Sequence, residues 1–572
     1  MKILFSHSSD FKINNIVSKR LVAFFVFLVF IFTLKSVLFA ANFGGIEHDS
    51  GWYLGVARNL AEKGKYASYV NTIAPEEEGV YPSLHGRYSV QDKDGLSYFP
   101  AGVTVGPGYV IPQALLLKIF GSGWWQYRLW PLITFAGLIL LIFVLTYNLG
   151  GGMAFSLIAV WLWLTPQLTI QFSYEAFGEH IALFYLLLSF YLLFISERFK
   201  NKRLVLFAFS GFFFSLTVLT KYLFALSGAG LGIVFVISIL KTRKRIREIQ
   251  YWLVWLLFAI LPVLAYEIYR YLYMNINFGN NGWDAINRDF IMHFKNNGSG
   301  TNLSNIDWVF IGKKLKFWEN VGINPFPAWL LILFTPYFFL RNEVKKSTSL
   351  YLLLFFTFVA SSLWFVILSP TGWTRHVWQG LVVGMMLIVV TIAKIWNFKR
   401  VRYLIFAVFV ALLFADSPVI LEEKFNATLL FGRETLSKWE DERYVGGLQG
   451  LPTNVILSFS DQDGLKNYFE KNIDQHDRIY YAGWFLLAEV SPLVDKVFYS
   501  LDRYLEIGQV NPEGGKSYLL LGPYQKGKFS IIGEKYHSRK VGELCDKIVY
   551  ENRSYTLCRL RTNLTYENEA YE

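Results

Sequence analysis

The chain has 572 residues, of which 53% are hydrophobic, 18% are aromatic and only 17% are charged. A soluble globular chain carries about one quarter charged residues, so this composition excludes a single soluble domain. The formal net charge of +12 does not indicate nucleic-acid binding, because the Lys and Arg residues lie in short clusters between apolar runs, where they act as topology signals.

Apolar runs recur along the chain, and many approach the roughly twenty residues that a helix needs to cross a bilayer. About eleven predicted spans cover residues 21–40, 129–147, 153–164, 181–195, 204–219, 223–240, 251–271, 327–340, 350–368, 381–396 and 403–414. No cleavable leader is predicted, since the first run is long enough to span the membrane. We therefore expect a polytopic α-helical membrane domain over residues 1–415.

Clusters of Lys and Arg alternate along the predicted loops. They lie at residues 12–20, 198–203, 241–247, 341–346 and 399–402. If the N-terminus is cytoplasmic, all of these clusters face the cytoplasm, as the positive-inside rule requires. The chain is then a multi-pass protein of the cell membrane, and its loops 41–126 and 274–325 and its tail 416–572 are extracytoplasmic.

The first of these loops contains two apolar segments that are too short to cross the membrane. Apolar residues at helical spacing cover 52–60, and a second segment, 109–120, follows the turn-forming residues Gly106, Pro107 and Gly108. Both segments suit helices that lie in the membrane interface.

The tail has the pattern of a small α/β extracytoplasmic C-terminal domain, with strand-like runs at 478–482, 496–499 and 517–521. A two-residue hairpin turn at Glu551 and Asn552 would place Cys545 opposite Cys558, within the Cα separation that a disulfide needs. An oxidising outer compartment favours the bond, so we predict that these two cysteines are joined.

An acidic segment, Glu47-His48-Asp49, follows the first span and precedes the first interfacial helix. A carboxylate at that level could serve as a general base at the water–lipid boundary. Alternatively, Asp49 or Ser50 caps the helix, which is the commoner use of such residues.

Between the third and fourth spans lie Glu175, Glu179 and His180. A carboxylate at the membrane surface is costly unless it is solvated, paired or ligating, and solvation at a helix start explains Glu179 equally well. His48, Glu179 and His180 do not have a recognised metal-ligand spacing. A divalent metal ion therefore remains an open question, and no metal ligand is assigned.

Four basic residues stand at the predicted outer ends of spans, where Lys and Arg are in the minority. They are Lys221, Arg270, Arg375 and His376. Converging on one cavity, they would form a site for phosphate. For each residue taken alone, snorkelling to the interface is the simpler explanation, and Arg270 could instead pair with Glu267 on the same helix.

Three sequence stretches carry a resemblance to a known family. They are DSGWYLGVARNLAEKGKY with YFPAGVTVGPGYVIPQALLLKIFG in the first loop, LTVLTKY around Lys221 and TRHVW around Arg375. Together with one span before a long outer loop and an outer C-terminal domain, they resemble the GT-C superfamily of glycosyltransferases. The likeness is closer to the branch that contains protein O-mannosyltransferases and the lipid A aminoarabinose transferase.

The resemblance implies a GT-C-like fold, a polyprenyl-phosphate-linked sugar as donor and Asp49 as catalytic base. Combining this donor with the residues above, we expect an inverting transfer in which the donor phosphate is bound by four basic residues, Lys221, Arg270, Arg375 and His376. We expect His48, Glu175 and Glu179 to contact substrate. The chain departs from the common pattern in having Ser50 beside Asp49 where relatives have an Asp-Glu pair. The sugar and the acceptor, whether glycan, lipid or protein, are not implied.

Two other functions fit a polytopic membrane protein. A secondary transporter or lipid flippase would usually show internal repeats and broken helices with charges at the bilayer midplane, and neither is apparent here. A glycan ligase or polymerase would differ only in the linkage of its donor.

Overall fold

The structure is a computed structural model. It describes residues 16–42, 46, 48–69, 79–82, 88–99, 106–164, 166, 169, 173, 176–292, 308–340, 347–369, 373–396, 459–481, 489–501, 515–522, 544–552 and 554–561. The predicted span at 403–414 and the boundary near residue 415 lie outside these residues.

The described part of the membrane domain is built from apolar helices. They are α1 (Ile16–Asn42), α2 (His48–Lys63), α3 (Pro107–Phe120), α4 (Leu129–Thr146), α5 (Gly152–Leu164), α6 (Gly178–Ser196), α7 (Arg203–Thr220), α8 (Gly228–Lys241), α9 (Arg245–Met292), α10 (Trp308–Leu315), α11 (Pro325–Leu340), α12 (Thr348–Leu363) and α13 (Trp378–Trp396). In the described part of the chain, seven helical segments are long and apolar enough to cross a membrane. Each of the ten predicted spans within that part coincides with an apolar helix, which confirms the helical polytopic fold class.

Two of the predicted spans meet at Gly150. The segment Gln126–Leu164 forms one apolar unit, but Gly150 has a φ of 92°, a backbone conformation that only glycine adopts readily. The chain therefore turns between α4 and α5, so the two spans are separate helices as predicted.

Of the basic clusters, 198–203 and 241–247 are described completely, and both lie at one end of the helix bundle. Arg203 pairs with Glu248 at the start of α9, with Nη2 2.5 Å from Oε1. Arg198 donates a hydrogen bond of 3.1 Å to Asn148 at the end of α4. Helix α2 and the C-terminal domain lie at the opposite end of the bundle. There, Trp124 of the membrane domain donates a hydrogen bond of 3.0 Å to Asp463 of the C-terminal domain.

This arrangement makes a labelling prediction. Single cysteines at Asp94 and Lys471 are expected to react with an impermeant maleimide in intact spheroplasts, whereas one at Thr242 is expected to react only after the membrane is opened. The physical reason is the positive-inside rule, under which we expect the end rich in Lys and Arg to face the cytoplasm. Labelling at Thr242 alone would invert the whole topology.

The first loop contains a four-stranded antiparallel sheet that the sequence did not predict. Its strands are β1 (Ala67–Ser68), β2 (Gly79–Pro82), β3 (Tyr88–Gln91) and β4 (Ser97–Tyr98), in the order β1-β4-β3-β2. Tyr98 packs against Phe278 of α9 at a ring distance of 4.9 Å. Helix α9 continues past the predicted end at 271 to Met292, with a kink at Gly279, whose φ is 53°. The part of the helix before the kink packs against this sheet.

The two short helices of the first loop differ in their surroundings. Helix α3 leaves Ile111, Leu115 and Ile119 45%, 56% and 70% exposed, an apolar stripe at helical spacing that suits the membrane interface. The expectation of an interfacial helix is wrong for α2, since Trp52 and Val56 are 1% and 0% exposed. They pack into a core shared with the C-terminal domain.

The C-terminal domain is a mixed five-stranded sheet with one described helix, α14 (Phe459–Asn472). Its strands are β5 (Arg478–Tyr481), β6 (Phe498–Ser500), β7 (Ser517–Leu521), β8 (Cys545–Glu551) and β9 (Thr556–Leu560), in the order β6-β5-β7-β9-β8. The first three strands are parallel and correspond to the three predicted runs, so this part is α/β as expected.

The domain is held on α2 by polar contacts. Lys63 and Tyr69 donate hydrogen bonds of 2.5 Å and 3.0 Å to Oδ1 of Asp495. Burial by itself would raise the pKa of the Asp495 carboxyl, but the hydrogen bonds from Lys63 and Tyr69 outweigh it and hold the pKa below its ordinary value. Tyr127 adds a bond of 3.1 Å to the carbonyl of Pro492.

The structure joins Cys545 to Cys558 in a disulfide with a Cα separation of 5.6 Å. The predicted register is wrong, however, because Cys545 pairs with Leu560 and Ile548 pairs with Cys558. The side chain of Asn552 accepts hydrogen bonds from the backbone N–H groups of Ser554 and Tyr555. This side-chain turn lengthens the connection, and two register shifts in the hairpin bring the cysteines together diagonally.

Reduction of the disulfide gives a direct test. When native protein is alkylated without reduction, its intact mass is expected to show no added alkyl groups. When the protein is reduced first, the mass is expected to show two. Since Cys558 is fully buried, the bond is expected to resist mild reductant until the domain unfolds. Two alkylated thiols in the native, unreduced protein would contradict the pairing.

Candidate active site

The candidate site is centred on the start of α6, where three separate parts of the chain meet residues 176–179. The first is the start of α2: the N–H group of Ala176 donates a hydrogen bond of 2.8 Å to Oγ of Ser50. The contact joins residues that are 126 positions apart. It places the first turn of α2, and with it the backbone of Asp49, beside the start of α6.

The position at which α2 begins can be compared with the two roles predicted there, a general base at Asp49 or a helix cap at Asp49 or Ser50. The helix begins at His48, so Asp49 lies within the first turn and not at the capping position before it. Ser50, offered by the sequence as a second cap, uses its hydroxyl to accept from Ala176 instead. The side chains of His48 and Asp49, and Glu175 altogether, lie outside the described residues.

The second contact is a buried ion pair. Nζ of Lys221 lies 2.7 Å from Oε1 of Glu179, and the two side chains are 10% and 0% exposed. The other carboxylate oxygen, Oε2, is buried and has no hydrogen-bond partner in the described part of the chain. Two residues that the sequence assigned to different ligands are therefore partners.

Lys221 is placed by the end of α7 and by the glycines of the first loop. Its backbone is extended, with φ −149° and ψ 108°, so it ends the helix. A Cβ atom at Gly106 would lie 2.1 Å from the carbonyl oxygen of Leu219, and one at Gly108 would lie 2.3 Å from Oγ1 of Thr220. These glycines, predicted only as turn formers, are required because the start of α3 touches the helix end that carries Lys221.

The third contact comes from the turn before α13. The guanidinium carbon of Arg375 lies 5.9 Å from the ring centre of Phe177 and 4.7 Å from that of Trp373. His376 packs against the same Trp373 with the rings tilted and their centres 5.5 Å apart. The aromatic faces hold the Arg375 side chain at the start of α6, beside Phe177, which lies two residues before Glu179.

Arg270 occupies a neighbouring cluster. It pairs with Glu267 at 2.7 Å, the alternative left open by the sequence, and Glu267 also accepts a hydrogen bond of 3.1 Å from Tyr222. Since Tyr222 follows Lys221 directly, this cluster adjoins the site. The structure therefore places Lys221, Glu179 and Arg375 around the start of α6. Arg270 lies in an adjoining cluster, which is linked to this site through Glu267 and Tyr222.

His180 lies in a stack of aromatic rings. Its ring centre is 5.2 Å from Trp163 and 6.0 Å from Phe135 and Trp378. Within the described residues no group of three or more His, Cys, Asp or Glu side chains could hold a metal ion. His180 therefore contributes packing at this site.

Sequence reasoning missed the part of the C-terminal domain that reaches this region. Gln462 of α14 bonds to the backbone of Ile46, which is 416 residues earlier in the chain. A lone Gln on an amphipathic helix carries no signal of such a contact, so no feature of the sequence indicated it.

A bundle of apolar helices, a first span followed by a long structured loop, and a mixed α/β domain over the site define a multi-pass membrane protein of the GT-C fold. The chain resembles solved structures of ArnT, the lipid A aminoarabinose transferase, from Cupriavidus metallidurans. The form bound to undecaprenyl phosphate aligns with a TM-score of 0.56 and 12% identity over 95% of this chain and 99% of that one. The apo form aligns with a TM-score of 0.54 and 13% identity over 96% and 99%.

No protein-family model and no curated protein sequence matches the chain. At this level of identity the likeness to ArnT establishes the fold, as the sequence resemblance implied.

Proposed function

We propose that this chain is an inverting membrane glycosyltransferase that moves a sugar from a polyprenyl-phosphate-linked donor to an acceptor on the outer face of the membrane. The observation that carries the proposal is the meeting, at the start of α6, of the first turn of α2, the Glu179–Lys221 pair and Arg375. The fold likeness to ArnT, one form of which was bound to undecaprenyl phosphate, supports the class of donor.

The reaction is a single displacement at the anomeric carbon. An acceptor hydroxyl or amine attacks, its proton passes to the carboxylate of Asp49, and the bond from the anomeric carbon to the phosphate oxygen breaks. The electron pair of that bond leaves with polyprenyl phosphate, and the product has the opposite anomeric configuration. A general base contributes about 10²–10⁴ to the rate of such a step.

Cations stabilise the leaving phosphate, which gains charge as the bond breaks. Lys221 and Arg375 contact the start of α6 and bind the phosphate directly in this proposal. His376 and Arg270 adjoin them. Lys221 is shared with Glu179, so phosphate binding loosens an existing ion pair. In this proposal His48, Glu175 and Glu179 hydrogen-bond the sugar or acceptor.

The acceptor is a glycan, lipid or protein group that reaches the membrane surface from the outer compartment. The apolar stripe of α3 admits the lipid carrier from the side, in the outer leaflet.

A purified-protein assay tests the proposal. Full-length protein in lipid nanodiscs is incubated with radiolabelled polyprenyl-phosphate sugars and extracts containing glycan, lipid and protein acceptors of the cell envelope. Transfer of label with release of polyprenyl phosphate, and inversion at the anomeric carbon by NMR, is the expected result. Movement of the intact donor across proteoliposomes without cleavage of its glycosidic bond would replace the proposal by a flippase.

A further inference from the structure

One side chain of the C-terminal domain holds both backbone groups of a residue beside the candidate base. The Ile46 N–H group donates to Oε1 of Gln462 at 2.7 Å, and Nε2 of Gln462 donates to the Ile46 carbonyl at 2.7 Å. Nε2 also lies 3.1 Å from the hydroxyl oxygen of Tyr555. Gln462 is fully buried and Ile46 is 4% exposed.

This contact is important because Ile46 lies close in sequence to Asp49. Ile46 precedes Asp49 by three residues, and Ser50 directly follows Asp49. Ser50 is bound to Ala176 on the membrane domain. The segment that carries Asp49 is therefore fixed on one side by the C-terminal domain and on the other by the start of α6.

The support behind Gln462 is itself rigid. The start of α14 is bound to the turn of the disulfide-linked hairpin, where Ser554 donates a hydrogen bond of 2.6 Å to Asp461 and Asn552 donates one of 2.8 Å to the carbonyl of the same residue. An anchor held by a second layer of hydrogen bonds fixes the groups that it supports more precisely.

We infer that Gln462 is a positioning residue for the transfer reaction: through the backbone of Ile46, the C-terminal domain fixes where Asp49 stands relative to the substrate. This inference rests on the proposed function. It assigns the domain a part in the chemical step, in addition to covering α2. A displacement of about 1 Å at a reacting group can cost roughly 10²-fold in rate.

Gln462→Met removes the amide and nearly keeps the side-chain volume. We expect kcat to fall by about 10–100-fold, while KM for the lipid donor stays within about threefold of wild type, because Lys221 and Arg375 are held by other elements. The matched control is Gln475→Met, the same substitution at an exposed glutamine of the same domain whose side chain contacts His476, so that Ile46 stays bound. Near-normal kcat is expected for that control.

Hydrogen exchange provides a readout that does not depend on activity. In full-length protein, the Ile46 amide is expected to exchange roughly tenfold faster or more in Gln462→Met and at the wild-type rate in Gln475→Met. Unchanged exchange in Gln462→Met, or faster exchange with unchanged kcat, would overturn the inference. If Gln462→Met does not fold, Tyr555→Phe must show smaller changes in the same direction, and their absence would also overturn it.

A wild-type protein without transferase activity toward any donor would overturn the proposed function and the positioning role with it. Its exchange data would still show whether Gln462 anchors Ile46. The two failures are thus separate results.

Discussion

Replacing Asp49 with Asn is expected to lower kcat by about 10²–10⁴ while the protein stays folded. The substitution is nearly isosteric and removes only the charge and the basicity of the carboxylate. A carboxylate in the first turn of a helix contributes about 0.3–1 kcal/mol through the helix dipole. A purely structural role would therefore leave the chemistry close to wild type, and the two roles separate in one experiment.

The measurement is kcat with the true donor, together with the midpoint of thermal unfolding in detergent. Asp94→Asn serves as the matched control, since Asp94 is an exposed carboxylate of the same loop whose partner is Lys65. We expect near wild-type rates for it. Retained activity in Asp49→Asn would assign Asp49 a structural role and direct the search for the base to Glu179.

Replacing Lys221 with Met is expected to destabilise the protein by about 3–5 kcal/mol. The reason is that Glu179 is fully buried and would keep an uncompensated charge once its partner is gone. Binding of polyprenyl phosphate is expected to weaken as well, because Lys221 meets the charge that the donor carries in both the ground state and the transition state.

A double variant separates these two effects. Glu179→Gln combined with Lys221→Met removes both charges, so the thermal midpoint should recover most of the loss seen in Lys221→Met. Affinity for polyprenyl phosphate should not recover. Wild-type affinity in the double variant would remove Lys221 from the phosphate site and leave the pair a structural role.

The sequence by itself determined the helical scaffold. Runs of apolar residues must leave water whatever surrounds them, so their length predicts spanning helices without knowledge of their neighbours. The same holds for the parallel strands of the tail, where local pattern and burial agree. The two cysteines could be paired from spacing alone, although the register that joins them depends on a side-chain turn at Asn552 that spacing does not specify.

The candidate site was predicted as a set of residues but not as an arrangement. Asp49, Glu179, Lys221 and Arg375 each stood out because a charged residue at a span end needs a reason to be there. The sequence could not show that Glu179 and Lys221 are partners, or that Arg270 pairs with Glu267, since ion pairs form between whichever charges the packing brings together.

Only the tertiary structure decided which parts of the chain meet at the start of α6. The contacts that build the site link residues 42 to 416 positions apart, and their geometry follows from how helices pack and not from any local pattern. The extension of α9, the sheet of the first loop and the hold of Gln462 on Ile46 belong to the same class. Each of them satisfies buried apolar or polar groups of a distant segment, so it exists only once that segment is in place.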